Sequence, residues 1–406
     1  MLPTRATEAA EYGSMTDLLS YWPFCMDPAA DVVMFVEIED EMTPDDREES
    51  MEICLMFAPR SLSSNDDDPH RLCETDFIKL FGVDYGGGPL GPQIAGDMAG
   101  VTIADGDEQD SGYLVIYNWH TGELVVRMAR LDSNPSWLIR DFTFLSPRSF
   151  VLYAMLWNGR TPVEHALLLF TFCDESSDGK PWTITTGSVK HIVTLLLPDL
   201  AEGQNPNCSI ETTPCASYQP LGVPFKVEDP SRILVYDAYT DTDDLEIVRM
   251  VVHTDVFVHA KNLLSSARFD ATAHPRRIPW DAWGPEYARL FTTNAHYYSY
   301  VLPRPIHGER MVMQMTEAGR HTAYLMDFNR RAHRRQISSG LDDTALITEP
   351  SILPPSLFAN PVTTSLPYTA VRIPGADLYT GFLLDEQRLI GLKGSRPVQE
   401  LHVLVF

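Results

Sequence analysis

The stretch YLVIYNWHTGELVVRM, Tyr113 to Met128, decides the fold. An apolar run, an Asn-Trp-His-Thr-Gly-Glu turn and a second apolar run predict a β-hairpin. Tyr113, Val115 and Tyr117 alternate with Leu114 and Ile116, so both faces of the first strand are apolar and both must be covered. An antiparallel sheet usually leaves one face to water, and this strand belongs to a more enclosed architecture.

Related patterns recur on either side of it. DFTFLSPRSFVLYA, Asp141 to Ala154, reads as two strands turned at Ser146-Pro147-Arg148, and ALLLFTF, Ala166 to Phe172, as a further strand. RILVYDAYTDTDDLEIVRM, Arg232 to Met250, repeats Leu-Val-Ile-Tyr as Ile-Leu-Val-Tyr and Val-Val-Arg-Met as Ile-Val-Arg-Met. AYLMDFN, Ala323 to Asn329, is a weaker copy. GFLLDEQRLIGLKGSRPVQELHVLVF, Gly381 to Phe406, follows the order of Asp141 to Phe172. MDPAADVVMFVEIED, Met26 to Asp40, matches EDPSRILVY, Glu228 to Tyr236, through Asp-Pro-x-x and a following strand. In-order echoes of this kind mark a repeat architecture.

Helical spacing is confined to Glu8 to Tyr21 and Pro285 to Phe291, both short. With so few helices, the sheets have to cover one another, and a ring of sheets does so. Burying four large apolar side chains on a strand contributes roughly 6 to 12 kcal/mol. Ordering seven residues costs roughly 7 to 14 kcal/mol, so each sheet depends on its neighbours. The expected fold class is therefore all-β: a single β-propeller of four-stranded antiparallel blades. At 40 to 50 residues per blade, about 380 residues make roughly seven to nine; long loops lower the count, and seven is the central expectation within a range of six to eight. The 30 prolines and 24 glycines are spread along the 406 residues, so no linker divides the chain. Residues 1–26 form an N-terminal extension and 27–406 the propeller.

Fifty-six acidic against 31 basic side chains give a net charge of -25, which repels nucleic acid and anionic membrane alike. No apolar run reaches half a membrane span, and MLPTRATEAAEYGS lacks a signal-peptide core. A cytoplasmic or nuclear protein with six reduced cysteines is expected, with the sequon Asn207-Cys208-Ser209 silent.

Searches for chemistry give mostly ordinary turns. Gly86, Gly88 and Gly91 match a dinucleotide motif, but Pro89 and Pro92 prevent the helix that motif needs. DGDEQD, Asp105 to Asp110, and TDTDD, Thr240 to Asp244, lack full calcium-loop spacing and read as hairpin turns. His253, His259, His274, His296, His307, His321 and His333 cluster in sequence without metal-ligand spacing, and His70 with Cys73 lacks a second pair. NAHYYSY, Asn294 to Tyr300, would align His296, Tyr298 and Tyr300 on one face, as packing between blades requires. No catalytic residue, cofactor or metal is expected.

Two segments have the composition of a binding surface. HPRRIPWDAWGPEY, His274 to Tyr287, combines Arg276 and Arg277 with Trp280 and Trp283, the residue types that dominate binding hot spots. RRAHRR contributes Arg330, Arg331, Arg334 and Arg335, the densest basic cluster in an acidic chain. These eight are the candidate partner-binding residues.

Four elements together resemble the C-terminal, WD-repeat-like region of the fungal F-box protein family. They are Asp27-Pro28-Ala29-Ala30-Asp31 before Val32 to Val36; the turn Tyr117 to Glu123; Phe-Thr-Phe-Leu-Ser-Pro, Phe142 to Pro147; and Leu384 to Leu392 with the closing His-Val-Leu-Val-Phe. The likeness runs from about Asp27 to Phe406. It implies a propeller that captures a protein substrate for ubiquitin ligation, its F-box docking on a cullin-ligase adaptor. Only 26 residues precede Asp27, too few for that helical module, so the adaptor is expected as a partner only where an F-box lies upstream. The leading expectation is a non-enzymatic protein-binding propeller; the alternative is a propeller-fold hydrolase or lyase with its site in the central cavity.

Overall fold

The β-branched and aromatic runs become six antiparallel sheets set around a common axis, a β-propeller, in a computed structural model of the chain. The structure describes residues 24–27, 30–39, 52–63, 70–75, 77–84, 89–104, 112–128, 130–131, 137–157, 162–172, 189–213, 231–239, 246–266, 276–294, 305–317, 320–331, 333, 346–385, 388–393 and 400–405.

Blade one is β1 (Phe24–Asp27), β2 (Val32–Glu39), β3 (Glu52–Ser61) and β4 (Ile78–Asp84). Blade two is β5 (Pro89–Ala95), β6 (Met98–Ala104), β7 (Gly112–Asn118) and β8 (Leu124–Met128). Blade three holds β9 (Arg130–Leu131), β10 (Trp137–Ser146), β11 (Ser149–Trp157), β12 (Pro162–Phe172) and β13 (Val189–Leu196). Blade four begins with β14 (Asn207–Thr212), β15 (Ile233–Tyr239) and β16 (Glu246–His253). The chain then forms helix α1 (Asp255–Ser266) and returns to blade three, where β17 (Arg276–Ile278) pairs in parallel with β13. Helix α2 (Gly284–Tyr287) leads into β18 (Ala288–Asn294), the outer strand of blade four.

Blade five contains β19 (Ile306–His307), β20 (Arg310–Glu317) and β21 (Arg320–Asp327). After β22 (Leu346–Ile347) come the small pair β23 (Ser351–Leu353) and β24 (Val362–Thr364); then β25 (Tyr368–Arg372) joins β21 and β22. Blade six is β26 (Gly381–Leu384), β27 (Arg388–Lys393) and β28 (Glu400–Val405). Six blades lie within the expected range, one below its central value. The chain between β16 and β18, and the additions around β22 to β24, use residues that would otherwise make another blade.

Alternation along the strands explains the stacking. Val151, Tyr153 and Met155 of β11 pack with Tyr236, Val248 and Met250 of blade four, while Phe150, Leu152 and Ala154 pack with Leu114 and Ile116 of blade two. On β7, Val115 and Tyr117 face the other way, toward Val32, Met34 and Phe57 of blade one. Both faces of the Tyr113 strand are thus covered by neighbouring blades. Close approach has a local requirement: a Cβ on Gly100 would lie 2.8 Å from the Phe142 ring.

Polar side chains join the inner strands. Gln93 of β5 donates to the Phe142 carbonyl (2.8 Å) and accepts from Thr143 Oγ1 and the Phe144 N–H of β10. Asp141 of β10 accepts the Ile210 N–H of β14 at 2.7 Å. Arg232 donates to the Leu145 and Thr213 carbonyls.

The sequence echoes map onto blade positions unevenly. Asp141 to Phe172 supplies β10 to β12, which follow the two-residue β9 in blade three, and Gly381 to Phe406 supplies strands one to three of blade six, while the strands after the two Asp-Pro segments, β2 and β15, are both second strands. The Leu-Val-Ile-Tyr hairpin is different: β7 and β8 are strands three and four, whereas β15 and β16 are strands two and three.

The helices differ from expectation. Pro285 to Phe291 is helical only through Tyr287; from Ala288 the chain is β18, held against β16. The 12-residue α1 carried no expectation, because Val256 and Val258 give it strand-like composition; Val256, Phe257 and Ala260 bury it against blades three and four. Glu8 to Tyr21 lies outside the described residues. No helix among the described residues is long and apolar enough to cross a membrane.

Candidate functional site

Residues 276–287, leading into β18, run along the outer rim of blades three and four. Its parallel pairing sets Arg277 opposite Thr194 and brings the chain past the Trp137 ring, with the Arg277 guanidinium 5.8 Å from the ring centre and ion-paired to Glu164. Pro279, in extended conformation, starts a 3-10 turn at Trp280 to Ala282, and Pro285 fits the first turn of α2 because its missing N–H needs no partner there. Trp280 lies across Gly284, where a Cβ would fall 2.3 Å from the indole. The Trp280 and Trp283 rings meet edge-on at 4.9 Å.

The two tryptophans have different roles. Trp283 is 3% exposed, and its Nε1–H donates to the Leu196 carbonyl at 3.0 Å, so it closes the core between blades three and four. Trp280 is half-buried at the edge of that core, beside the exposed Asp281.

The second candidate cluster arrives at the same rim. Arg330 Nη2 donates to Glu286 Oε1 at 2.8 Å, and its guanidinium lies 4.7 Å over the Tyr287 ring. Tyr287 also stacks on His259 of α1, with ring centres 6.1 Å apart. Arg331, next in the chain, is exposed. The structure therefore brings Arg277, Trp280, Trp283 and Arg330 to one rim, with the exposed Arg331 adjoining Arg330 in the chain. Arg276 pairs there through its backbone; its side chain, and all of Arg334 and Arg335, lie outside the described residues. Glu286, Tyr287 and His259 join the clusters without any local signal, because they come from separate elements.

The turns that carry the family resemblance hold the blades in shape. In the Tyr117–Glu123 turn, Asn118 Oδ1 accepts the N–H groups of His120 and Thr121, and Gly122 takes φ +76°. Trp119 is buried and donates to the Gly96 carbonyl at 2.8 Å, with the His120 and His70 rings edge-on at 4.2 and 5.2 Å. Arg148, in the Ser-Pro-Arg turn, makes a two-point ion pair with Asp97 of blade two, at 2.6 and 3.0 Å. Asp31 adopts φ 59° and binds Ser61 and Ser63. Asp385 accepts the Arg388 N–H across the β26–β27 turn at 2.6 Å.

Of the histidines, His274 and His296 lie outside the described residues, as do Tyr298 and Tyr300 and both acidic stretches. His253 is fully buried: Nε2 lies 2.8 Å from Glu309 Oε1, and Nδ1 accepts the Asp255 N–H. His333 sits nearby; burial lowers its pKa, opposed by the carboxylates of Asp327 and Glu309. No group of three or more His, Cys, Asp or Glu among the described residues is arranged to hold a metal ion. Gly91 lies within strand β5 rather than at the start of a helix, as Pro89 and Pro92 require.

His165 is the clearest titratable group of the core. Its Nε2–H donates to the Pro198 carbonyl (2.6 Å), which leaves Nδ1 to accept from the Tyr153 hydroxyl (3.2 Å). Burial pushes this imidazole down to about 4. The unfolded chain titrates near 6.5 and so binds the proton first. Stability is full above pH 6.5 and falls as pH drops toward 4, by about 3 kcal/mol in total. Urea midpoints at pH 7, 5.5 and 4.5 measure this, and His165→Gln is expected to flatten the loss.

No protein-family model matches this chain, and no curated protein matches it.

Proposed function

We propose that the chain is a non-enzymatic protein-binding β-propeller whose partner docks on the outer rim of blades three and four. The convergence of Arg277 and Trp280 with Arg330, which Arg331 adjoins in the chain, carries this reading. Arginine and tryptophan deliver large contact area with few rotamers to freeze, and this concentration of them is set in a strongly acidic chain. The resemblance to fungal F-box proteins supports a finer form of the reading, in which the bound protein is a ubiquitin-ligase substrate. In that form a cullin-ligase adaptor joins only through an F-box upstream of residue 1.

The polar side chains of the inner strands favour a scaffold over a hydrolase or lyase. Gln93, Asp141 and Arg232 are all engaged in holding blades together. The nearest acid–base pair, His253 with Glu309, offers no exposed imidazole surface to a substrate.

The test is affinity capture from native cells with the triple variant Arg277→Ala, Trp280→Ala, Arg331→Ala. Loss of about 2 kcal/mol of binding, roughly thirty-fold, is expected for the partner captured by the unaltered chain, with melting preserved. Unchanged capture removes the rim as the docking surface.

A further inference from the structure

β28 is the last strand of a three-stranded blade, whereas the other five blades have four or more strands. Among the described residues no strand pairs with its outer edge. The ladder shows which groups that edge presents. The Leu392 and Arg388 carbonyls accept from Thr380 and Asp385 on the β26 side, so Leu389, Gly391 and Lys393 direct their backbone groups toward β28. Their register partners there are Leu404, His402 and Glu400. By alternation, the N–H and C=O groups of Leu401 and Val403 point away from the sheet.

The side chains add a second asymmetry. Leu401 is 63% exposed and Val403 54%, on one face of the strand. On the other face Glu400 accepts from Lys393 Nζ (2.9 Å) and His402 Nε2 (3.0 Å), and these hydrogen bonds hold its carboxyl below the usual range. An exposed edge with apolar residues and no proline is a template for another strand. The net charge of -25 selects against an acidic strand and a second copy, and in favour of a basic one.

We propose that the outer edge of β28 takes an extended segment of a protein partner as a fourth strand of blade six. Apolar side chains at alternate positions cover Leu401 and Val403, and lysine or arginine on the opposite face lies beside Glu400. Backbone hydrogen bonds supply the affinity, and the alternation supplies the selectivity. This edge is separate from the rim of blades three and four, so either reading fails without the other.

The probe is a fluorescein-labelled eight-residue peptide of alternating valine and lysine, titrated with the whole chain and followed by anisotropy. The control has the same composition in two blocks, four valines then four lysines. The alternating peptide is expected to bind about tenfold or more tightly than the block peptide, and added salt to weaken it. Val403→Pro removes one outward N–H and leaves the bonds of His402 and Leu404 intact, so about a tenfold loss is expected at an unchanged melting temperature. Leu401→Lys, which keeps the backbone, is expected to lose as much and stands in if the proline variant does not fold. Equal binding of the two peptides, or unchanged binding by both variants, overturns the proposal. Two further results also overturn it. Salt-strengthened self-association abolished by Val403→Pro would make the occupant a second copy. Higher peptide affinity after removal of residues 1–23 would make it the chain's own N-terminal segment.

Discussion

Asp237→Ala is expected to lower the unfolding free energy by about 3–5 kcal/mol, the cost of leaving a buried charge without its partner. Asp237 has no exposed surface, and Arg249, opposite it on the neighbouring strand, donates through Nε and Nη2 at 2.8 and 2.7 Å. The pair lies on the face of blade four that also presents Val235 and Val251 to blade five. Removing the carboxylate therefore leaves a guanidinium facing an apolar interface. Changing both residues together, Asp237→Val with Arg249→Met, is expected to recover most of the loss, because two apolar side chains carry no desolvation cost. Urea titration of the two single variants and the double variant measures the coupling. Additive losses would show that the pair does not act as a unit.

Trp283→Ala is expected to cost about 3–5 kcal/mol, the range for truncating a large buried aromatic. The indole is buried among Val193, Leu195 and Leu290, and its loss also leaves the Leu196 carbonyl without its donor. Trp280→Ala, at the half-buried neighbour on the core's edge, is expected to cost less and to act on binding. Denaturation midpoints of the two variants separate the roles; equal midpoints would place both rings on the surface. A partner-binding assay on Trp283→Ala alone would report unfolding.

The contrast between these tryptophans shows how far the sequence could be read. Strand identity was legible in the hairpin at Tyr113 to Met128, where apolar residues on both faces call for sheets on both sides. The Asp141 to Phe172 pattern and its echo at Gly381 likewise became runs of three consecutive antiparallel strands, though β9 precedes the first run within its blade. The rim was legible only as composition. Nothing in the spacing of Trp280 and Trp283 tells which ring faces inward; that depends on β17 pairing with β13, a contact between residues about eighty apart in sequence. Tyr287 and Glu286 carry no signal as the seat of Arg330, since the arginine comes from the chain just after β21 of blade five. Helix α1 was hidden by its own valines, and only burial of Val256 and Phe257 against the neighbouring sheets explains why it is helical.

The return of the chain to blade three has a consequence for how the molecule is made. β17 leaves blade four after its third strand, completes the outer side of blade three, and only then does β18 complete blade four. Neither unit is whole until the ribosome has passed residue 294. A nascent chain ending at Tyr239 would expose the outer edge of β13, and a circular permutant cut between β16 and β17 would have to reassemble two sheets at once. The propeller is thus modular in appearance and interlocked at its third and fourth units.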